Sequence, residues 1–288
     1  MAEVQWSQLQ AAPRDELSAR TFGLLAGIIY KHSRICLGPD KHALLANRLR
    51  GRIRECGLAD FDEYHGLLDS SAGGTEIDVL IDLVSTNHTN FFREIEHFRF
   101  LSTKVLPEVI ASCRANGKAL RLWSAAASSG EEPYTMALVV AEFLRTQAPL
   151  DWQIHASDIS RRMLATATRG IYSQKALDAV PPGLLRRYFE RGIGVQAGSC
   201  RVQASIRARV LFEHINLFQP HYPLGLEQQV IFCRNVMIYF DEPSRIEALQ
   251  KITRHLAPGG YLVIGYSESI LGLPHGLEPV TQGIFRKA

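Results

Sequence analysis

Residues 119–134 read ALRLWSAAASSGEEPY and decide the fold. The apolar run at 119–124 is typical of a buried strand, and the residues after it stay small as far as Gly130. Pro133 stands where the first turn of a helix tolerates proline. The stretch therefore predicts a strand, a tight loop and the N-terminus of a helix. Open α/β sheets bind their ligands at such junctions.

The residues that follow repeat this unit. Short apolar runs predict strands at 153–157, 210–213, 230–233, 261–265 and 283–286. Helical periodicity predicts helices over 131–145, 161–169 and 242–256. The alternation predicts an α/β domain with a mainly parallel, doubly wound sheet over residues 118–288. A Gly-rich stretch at 192–198 breaks the rhythm, and it predicts a small antiparallel β insertion at about residues 180–209.

The first third of the chain is predicted to be helical. Apolar residues at spacings of three and four predict helices over 18–30, 41–56, 61–68 and 75–84. The sequence shows no convincing strand pattern between them, so residues 1–85 are expected to form an N-terminal all-α domain. Residues 86–117 are then expected to form a linker helix region before the α/β domain.

Composition excludes several classes of protein. The chain has 288 residues, 46% of them hydrophobic, and its apolar runs are far shorter than the ~20 residues of a membrane span. The N-terminus shows no signal-peptide pattern, so we expect a cytoplasmic protein without direct membrane insertion. Five cysteines without a C-x-x-C pair predict no disulfide framework, and we expect no metal site. A net charge of +3 and no basic stripe predict no nucleic-acid partner.

Carboxylates follow the first two predicted strands. Glu131 and Glu132 begin a helix, where a carboxylate stays ionised and favours a cationic amine over a pyrophosphate. Asp158 follows the second strand, where it accepts both ribose hydroxyl protons, caps the next helix, or does both. The chain lacks the G-x-G-x-x-G loop and the P-loop. These features together describe S-adenosyl-L-methionine (SAM) better than NAD or ATP.

Polar residues also follow the later strands. Asn216 and Leu217 suit the hydrogen-bonding and sandwiching of an adenine, although a loop asparagine is also typical of a turn. Arg234 and Asn235 follow a predicted buried strand, where they are either satisfied in the core or part of a site. Tyr239 lies a few residues further on and either packs as an aromatic side chain or faces the site.

Five segments resemble the CheR family, which comprises SAM-dependent protein-glutamate O-methyltransferases that act on chemotaxis receptors. They are STNHTNFFRE at 85–94, LWSAAASSGEEPY at 122–134, ASDI at 156–159, RYFERG at 187–192 and FCRNVMIYFD at 232–241. The resemblance runs from about residue 20 to the end of the chain. It implies a Rossmann-like class I SAM methyltransferase sheet, with residues 86–117 contributing to the SAM pocket.

The resemblance also implies roles for individual residues. The residues implied to bind the cofactor are Asn87, Thr89, Arg93, Glu132, Asp158, Asn216, Leu217, Arg234 and Asn235. Within this set, Glu132 would hold the methionine amine and Asp158 the ribose. Arg93 and Tyr239 are implied to be catalytic, because they would lie nearest the methyl group that is transferred. The product of the cofactor would be S-adenosyl-L-homocysteine. Arg93 either orients the incoming carboxylate or grips the cofactor carboxylate, and Tyr239 either shapes the methyl channel or donates a hydrogen bond.

The implied partner is the cytoplasmic helical region of a chemoreceptor. The helix predicted over 41–56 carries Arg48, Arg50, Arg52 and Arg54. These arginines are either a docking surface for an acidic methylation region or an ordinary solvated face. In some members of the family the β insertion also docks a pentapeptide at the receptor C-terminus, for which strand addition is a suitable mode.

Two other functions remain open from the sequence. One is a SAM-sensing or receptor-docking protein without catalysis. This function is disfavoured because the residues implied to bind SAM or to be catalytic are intact, among them Arg93, Glu132, Asp158 and Tyr239. The other is a methyltransferase acting on nucleic acid or a small molecule. The chain has no base-methylation motif of the Asn/Asp-Pro-Pro-Tyr type, which disfavours nucleic acid as the substrate. A glutamate acceptor needs no general base, because its carboxylate has a reference pKa of about 4.3.

Overall fold

The structure, a computed structural model, describes residues 16–70, 73–225 and 227–288. The chain divides into two compact units, Met1–Ser85 and Thr86–Ala288, which we call the N-terminal and the C-terminal unit. In the described parts of both units, no helix is long and apolar enough to cross a membrane.

The described part of the N-terminal unit is helical, as predicted. Its α-helices are α1 (Ala19–Ser33), α2 (His42–Glu55), α3 (Phe61–Asp69) and α4 (Gly73–Val84). Ser18 caps α1 by accepting a hydrogen bond from the Thr21 N–H, and Asp60 caps α3 in the same way. Apolar side chains at helical spacing bury one face of each helix, and the prediction of an all-α domain is confirmed.

The C-terminal unit contains both helices and strands. Its described α-helices are α5 (Ile95–Phe100), α6 (Leu106–Ala115), α7 (Glu131–Leu144), α8 (Arg161–Arg169), α9 (Pro182–Tyr188), α10 (Ala204–Arg207) and α11 (Glu242–His255). A π-helical turn, Leu101–Val105, joins α5 to α6. The described strands are β1 (Leu120–Ser124), β2 (Trp152–Asp158), β3 (Ile171–Ser173), β4 (Phe189–Arg191), β5 (Ser199–Val202), β6 (Val210–His214), β7 (Gln228–Phe232), β8 (Leu256–Val263), β9 (Leu277–Thr281) and β10 (Ile284–Lys287).

The main sheet has the order β6-β2-β1-β7-β8-β10-β9. Strands β6, β2, β1, β7 and β8 run parallel, whereas β10 and β9 pair antiparallel at one edge. The chain runs outward from β1 to β2 and β6 and then returns to β7 on the other side of β1. This reversal is the topological switch point, beyond which ligands bind in open α/β sheets. The predicted α/β sheet is confirmed.

The insertion is a separate three-stranded antiparallel sheet with the order β3-β5-β4. It begins at Ile171, ahead of the predicted boundary at residue 180. Strand β3 has only three residues, with a single buried side chain, Tyr172. A segment this short shows no alternation, which is why the sequence pattern did not mark it.

Two other elements differ from the predictions, whereas the helical stretch α5–α6 lies within the linker helix region predicted at 86–117. The edge strand β9 was not predicted. The segment at 256–260, between the helix predicted over 242–256 and the strand predicted at 261–265, is the start of β8, and the register against β7 shifts there. Gly259 adopts a left-handed φ of 71° within this irregular stretch. The glycines here therefore allow a bulge in the strand.

Candidate active site

The loop after β1 leads directly into α7. Residues 125–129 are small, and Gly130 follows with φ 98°, a left-handed conformation that favours glycine. A Cβ at Gly130 would lie 2.8 Å from both the Ala167 side chain and the Tyr172 hydroxyl. The glycine is therefore required by conformation and by space, and it fixes the direction in which α7 starts.

Glu132 lies in the first turn of α7 and is buried. Its Oε1 accepts a hydrogen bond from the Ser124 hydroxyl at 2.7 Å, and its Oε2 accepts one from Arg234 Nη1 at 2.9 Å. Burial raises the pKa of Glu132, and Arg234 and Ser124 oppose that rise. Because each oxygen accepts only one of these bonds, the carboxylate retains acceptor capacity for a further cationic donor.

Arg234 connects three parts of the site. Its side chain is 1% exposed, and Nη2 donates to Glu94 at 3.0 Å and to the main-chain carbonyl of Arg93 at 2.7 Å. The guanidinium also lies 5.5 Å from the centre of the Phe98 ring and 5.7 Å from that of Phe232. Arg234, predicted to border the cofactor, is thus largely occupied in holding Glu132 and the 93–94 backbone.

Glu94 was not predicted, yet it lies at the centre of these contacts. Besides Arg234, it accepts hydrogen bonds from Asn235 Nδ2 at 3.3 Å and from the Tyr266 N–H at 3.2 Å. Burial alone would raise the pKa of Glu94, but the Arg234 guanidinium and these donors hold it below its usual range. The carboxylate is therefore ionised at neutral pH.

Asp158 lies at the end of β2 and is 8% exposed. Its Oδ2 accepts from the Ser128 N–H and its Oδ1 from the Ser160 N–H, both at 2.8 Å. The N-cap of α8 is Ser160, whose hydroxyl accepts from the Met163 N–H, and Asp158 binds the N–H of that capping residue. Ser128 also donates from its hydroxyl to the main-chain carbonyl of Asn87 at 3.0 Å, which brings the 87–93 segment to the same loop.

Asn216, Leu217 and Tyr239 follow β6 and β7, whose carboxyl ends lie at the same edge of the sheet. Asn216 Oδ1 accepts from the Phe218 N–H at 2.9 Å, which is the turn geometry that the sequence left open, and Leu217 is buried. Tyr239 is half-buried at the end of a 3-10 turn, Met237–Tyr239. The rings of Phe218 and Phe240 lie 5.0 Å apart and connect the two loops.

Arg93 and Thr89 lie on the segment that precedes α5. Arg93 is half-buried, and its Nη1 donates to the main-chain carbonyl of His88 at 2.9 Å. Thr89 is also half-buried. The backbone of this segment is held by Arg234 and Ser128, whereas the Arg93 side chain is bound only by this local contact among the hydrogen bonds found in the described chain.

Backbone strain concentrates around the site. Among described residues other than glycine, six have positive φ, and four of them are Phe92, Glu94, Ser128 and Asn235. Such conformations persist only where surrounding contacts fix them, and they cluster at functional sites. The Ser128 and Asn235 N–H groups donate to the carboxylates of Asp158 and Glu268, and the Phe92 N–H donates to the Thr135 hydroxyl. A linear sequence offers little signal for such strain, because none of these positions is a glycine.

Glu268 is a second carboxylate that the sequence analysis missed. It accepts four backbone hydrogen bonds, from Asn235, Val236, Met237 and Gly265. Burial raises its pKa, and these four donors lower it in opposition. Three of its donors lie on the loop after β7 and the fourth, Gly265, follows β8, so only the folded chain reveals the arrangement.

His97 lies behind Glu94 and is 1% exposed. Its Nδ1 is 3.4 Å from Glu94 Oε2, and its ring packs against Tyr266 with centroids 4.4 Å apart. Neither ring nitrogen has a well-oriented hydrogen bond within the described chain. Burial and the nearby Arg234 lower the pKa of His97 to about 4, against the opposing pull of Glu94 and the Gln282 backbone. The imidazole is therefore neutral at physiological pH.

These contacts fit SAM. Glu132 and Asp158, both buried, follow adjacent parallel strands, where a ligand with an ammonium at one end and a ribose diol beyond it can reach both. The backbone loop between them has small side chains that allow close approach. Glu131 is also buried, and burial raises its pKa. The start of α7 therefore carries two carboxyl groups, Glu131 and Glu132, and it offers a poor site for a pyrophosphate. No cluster of metal ligands occurs among the described residues.

Arg52, predicted to dock a receptor, is bound within the N-terminal unit. Its Nε and Nη2 donate to the two oxygens of Glu76 at 2.9 and 2.6 Å. Tyr64 donates to Glu76 Oε1 at 2.7 Å, and Glu55 also accepts from Arg52. The hydrogen bonds from Arg52 and Tyr64 hold the pKa of Glu76 below its usual value despite burial. Arg52 therefore joins α2 to α4.

The other three arginines of α2 differ from one another. Arg48 donates to the carbonyls of Val84 and Ser85 at the end of α4, so it too has a structural role. Arg50 is half-buried and donates to Asn47 at 2.7 Å, one turn earlier on the same helix. Arg54 is exposed.

Comparisons with known proteins agree with this site. Residues 20–85 match the CheR methyltransferase all-alpha domain, and residues 87–284 match the CheR methyltransferase SAM-binding domain. A chemotaxis protein methyltransferase of Escherichia coli (strain K12) is 39% identical over 261 residues, covering 91% of this chain and 88% of that protein. One from Borreliella burgdorferi is 36% identical over 276 residues, covering 95% and 94%.

A solved structure of the glycopeptide N-methyltransferase MtfA with sinefungin is 16% identical and covers 56% of this chain and 49% of its own, with a TM-score of 0.32. A likeness this distant carries no argument. The two domain matches and the chemotaxis relatives, in contrast, span nearly the whole chain. The chain therefore belongs to the CheR family of SAM-binding chemotaxis methyltransferases.

Proposed function

We propose that this protein transfers a methyl group from SAM to glutamate side-chain carboxylates of a chemoreceptor, forming glutamate methyl esters for sensory adaptation. The observation that carries the proposal is the position of Arg234. One of its nitrogens holds Glu132, and the other holds the main-chain carbonyl of Arg93. The proposed amine-binding carboxylate and the proposed catalytic arginine therefore share one buried anchor.

The charge of this cluster favours a cationic ligand. Arg234 is one buried positive charge shared between two carboxylates, Glu132 and Glu94, which leaves a negative surplus. SAM carries a sulfonium and an ammonium against a single carboxylate, so its net charge is positive. A nearby opposite charge favours the charged form of a buried group, so an ammonium at Glu132 keeps that carboxylate ionised.

We propose that different loops bind the other parts of the cofactor. Asp158 would hold the ribose hydroxyls, and Asn216 and Leu217 would border the adenine. The segment with Asn87 and Thr89 and the residue Asn235 would complete the pocket. When bound, SAM supplies a methyl group that its sulfonium has already activated. The protein then has to align the acceptor and exclude water, and alignment of this kind contributes strongly to rate.

Arg93 and Tyr239 are the residues that we propose act on the acceptor. The Arg93 guanidinium can donate charge-assisted hydrogen bonds to an incoming carboxylate and orient one of its oxygens. A bond that is too strong would blunt the attack, so we expect Arg93 to position the acceptor loosely. Tyr239 would shape the methyl channel and donate at most one hydrogen bond. A carboxylate acceptor needs no base, since it is ionised at neutral pH.

We also propose that the N-terminal unit docks the cytoplasmic helical region of the receptor, which places the enzyme in the cytoplasm. Arg50 and Arg54 are the residues of α2 that can meet an acidic methylation region by electrostatic steering. The β insertion is proposed to bind a receptor C-terminal pentapeptide. Its sheet order leaves β3 and β4 at the edges, where an extended peptide can add as a strand.

The test is transfer of labelled methyl from SAM to membranes enriched in chemoreceptors. We expect label that mild alkali releases as methanol, since it would be a carboxyl methyl ester, and we expect it to disappear when receptor glutamates are replaced by alanine. Label that resists alkali would overturn the proposed acceptor. SAM binding without any transfer to receptor would instead support a SAM-sensing protein without catalysis.

A further inference from the structure

Glu268 contacts the loop that carries Tyr239 but belongs to none of the motifs assigned above. Its Oε1 accepts from the N–H groups of Val236 at 2.9 Å and Met237 at 2.8 Å. Its Oε2 accepts from the N–H groups of Asn235 at 2.8 Å and Gly265 at 2.6 Å. An ionised carboxylate has no donor and about four acceptor positions, so it matches four converging N–H groups.

These bonds replace the usual cap of the turn that follows. The 3-10 turn Met237–Tyr239 begins after Val236, whose side chain forms no capping hydrogen bond. Asn235, one residue earlier, is held at a left-handed φ of 58°. Within the described chain, Glu268 is the acceptor for all three N–H groups at positions 235–237. The start of the turn is therefore fixed by a side chain from the loop after β8.

The packing around Glu268 leaves little tolerance. A Cβ at Gly265 would lie 2.9 Å from Glu268 Oε2 and would collide with the Asn235 side-chain amide. The far end of the turn is held separately, by the contact between the Phe240 and Phe218 rings. Tyr239 thus sits between two anchors, and the one at the start of the turn is a single carboxylate.

We propose that Glu268 is a positioning residue for methyl transfer, which fixes the 235–239 turn and so holds Tyr239 at the site. The inference rests on the proposed catalytic role of Tyr239. Glu268 is expected to affect the transfer step more than SAM binding, because Glu132 and Asp158 have their own, separate contacts.

The first variant is Glu268→Gln, which keeps the shape of the side chain. Its amide nitrogen donates instead of accepting, so the N–H groups bound to one of the two oxygens lose their acceptor. We expect kcat for receptor methylation to fall ~10-fold to 100-fold, with the Kd of SAM from isothermal titration within ~3-fold of wild type. Gly265→Ala, which crowds both this carboxylate and the Asn235 amide, should lower kcat as well. Glu278→Gln, at an exposed position of β9, is the matched control and should change neither quantity.

A double-mutant cycle with Tyr239→Phe separates this role from general damage. If Glu268 acts through Tyr239, the double variant will be no slower than the slower single variant. If the loss in kcat of the double variant equals the product of the two single losses, the proposed role of Glu268 is overturned, but that of Tyr239 is not. A fall in SAM affinity that matches the fall in kcat, in both Glu268→Gln and Gly265→Ala, would overturn it as well. A wild-type kcat for Tyr239→Phe would overturn the role of Tyr239 itself, which is a distinct outcome.

Discussion

Each unit contains an arginine held by carboxylates, and the two arrangements differ in balance. In the N-terminal unit, Arg52 and Tyr64 both donate to Glu76, and the second carboxylate that Arg52 contacts, Glu55, is exposed to solvent. In the C-terminal unit, Arg234 is shared by Glu132 and Glu94 and has almost no exposed surface. The pKa of Glu76 is lowered by its partners, whereas burial raises that of Glu132 in spite of them.

The difference separates a structural ion pair from a binding site. Glu76, with three donors of which two come from one arginine, has little acceptor capacity left and serves to connect two helices. A buried carboxylate that shares its only cation is destabilised in the absence of a further positive charge, and it gains most when one binds. A buried carboxyl group whose pKa is shifted and whose charge is not fully neutralised by its partners is typical of a functional site.

Replacing Glu132 tests the unbalanced side of the comparison. We expect Glu132→Ala to weaken SAM binding by roughly 100-fold or more, because the variant removes a charge-assisted contact to the ammonium in a buried site. Isothermal titration of SAM into the purified protein measures this directly. Methyl transfer should fall at least as far.

The control for this variant is Glu76→Gln, in the balanced pair. It should leave the Kd of SAM within ~2-fold of wild type, because the hydrogen bonds given for Glu76 involve no residue of the proposed SAM site, and sites without shared partners act independently. SAM affinity that is unchanged in Glu132→Ala would show that the amine binds elsewhere.

His97 sharpens the comparison through pH. Tyr64 beside Glu76 is hydrogen-bonded, but both nitrogens of His97 beside Glu94 lack a well-oriented partner. The pKa of His97 falls from 6.5 to about 4 in the folded protein, so the unfolded chain binds the proton first as pH decreases. The folded C-terminal unit should therefore lose stability between pH 6.5 and 4, by on the order of 3 kcal/mol in total.

The measurement compares wild type with His97→Leu. Hydrogen exchange of the β8 and β10 amides, at pH 7 and at pH 5, reports the local free energy of opening for both proteins. Comparison at equal pH cancels the intrinsic exchange rate. The wild type should lose more protection than the variant on going to pH 5. An equal loss in both would mean that His97 is not the titrating group.

Arg52→Ala breaks the balanced pair. The carboxylate of Glu76 is 9% exposed, so it would be left without its main cation. Because Arg52 itself is 28% exposed and the site is partly solvated, we expect a loss of about 2 kcal/mol in the stability of the N-terminal unit.

Hydrogen exchange of the α2 and α4 amides in the full chain measures the loss. Arg54→Ala, on the same helix, is the control and should change stability by less than ~0.5 kcal/mol. If the two variants behave alike, the pair with Glu76 contributes nothing measurable.

Most of the fold could be predicted because its signals are local. The helix α11 is an example, since Asp241 caps it by accepting from the Ser244 N–H, as its sequence pattern predicts. The strand β9 could not be found, because it is an edge strand in which only Leu277 is buried and Pro279 interrupts the pattern. Strands of three residues, such as β3 and β4, are likewise too short to show a period.

The site could be predicted only where function depends on position along the chain. Glu132 and Asp158 follow strands, and the carboxyl edge of a parallel sheet is a rule of topology. Glu94 and Glu268 depend on a left-handed backbone and on N–H groups brought from distant loops, which no pattern encodes. The same reason explains Arg52, whose charge was visible in the sequence but whose partner Glu76 was not.

The smallest expected effect concerns Arg50 and Arg54 of α2. Charge reversal in Arg50→Glu with Arg54→Glu should raise the KM for receptor several-fold, because surface charges act mainly by steering encounter. The Kd of SAM should not change, since the Glu132 cluster lies in the other unit. The effect should shrink at high salt, where steering is screened. Methylation that is equally efficient in the variant, even at low salt, would assign these arginines to an ordinary solvated face.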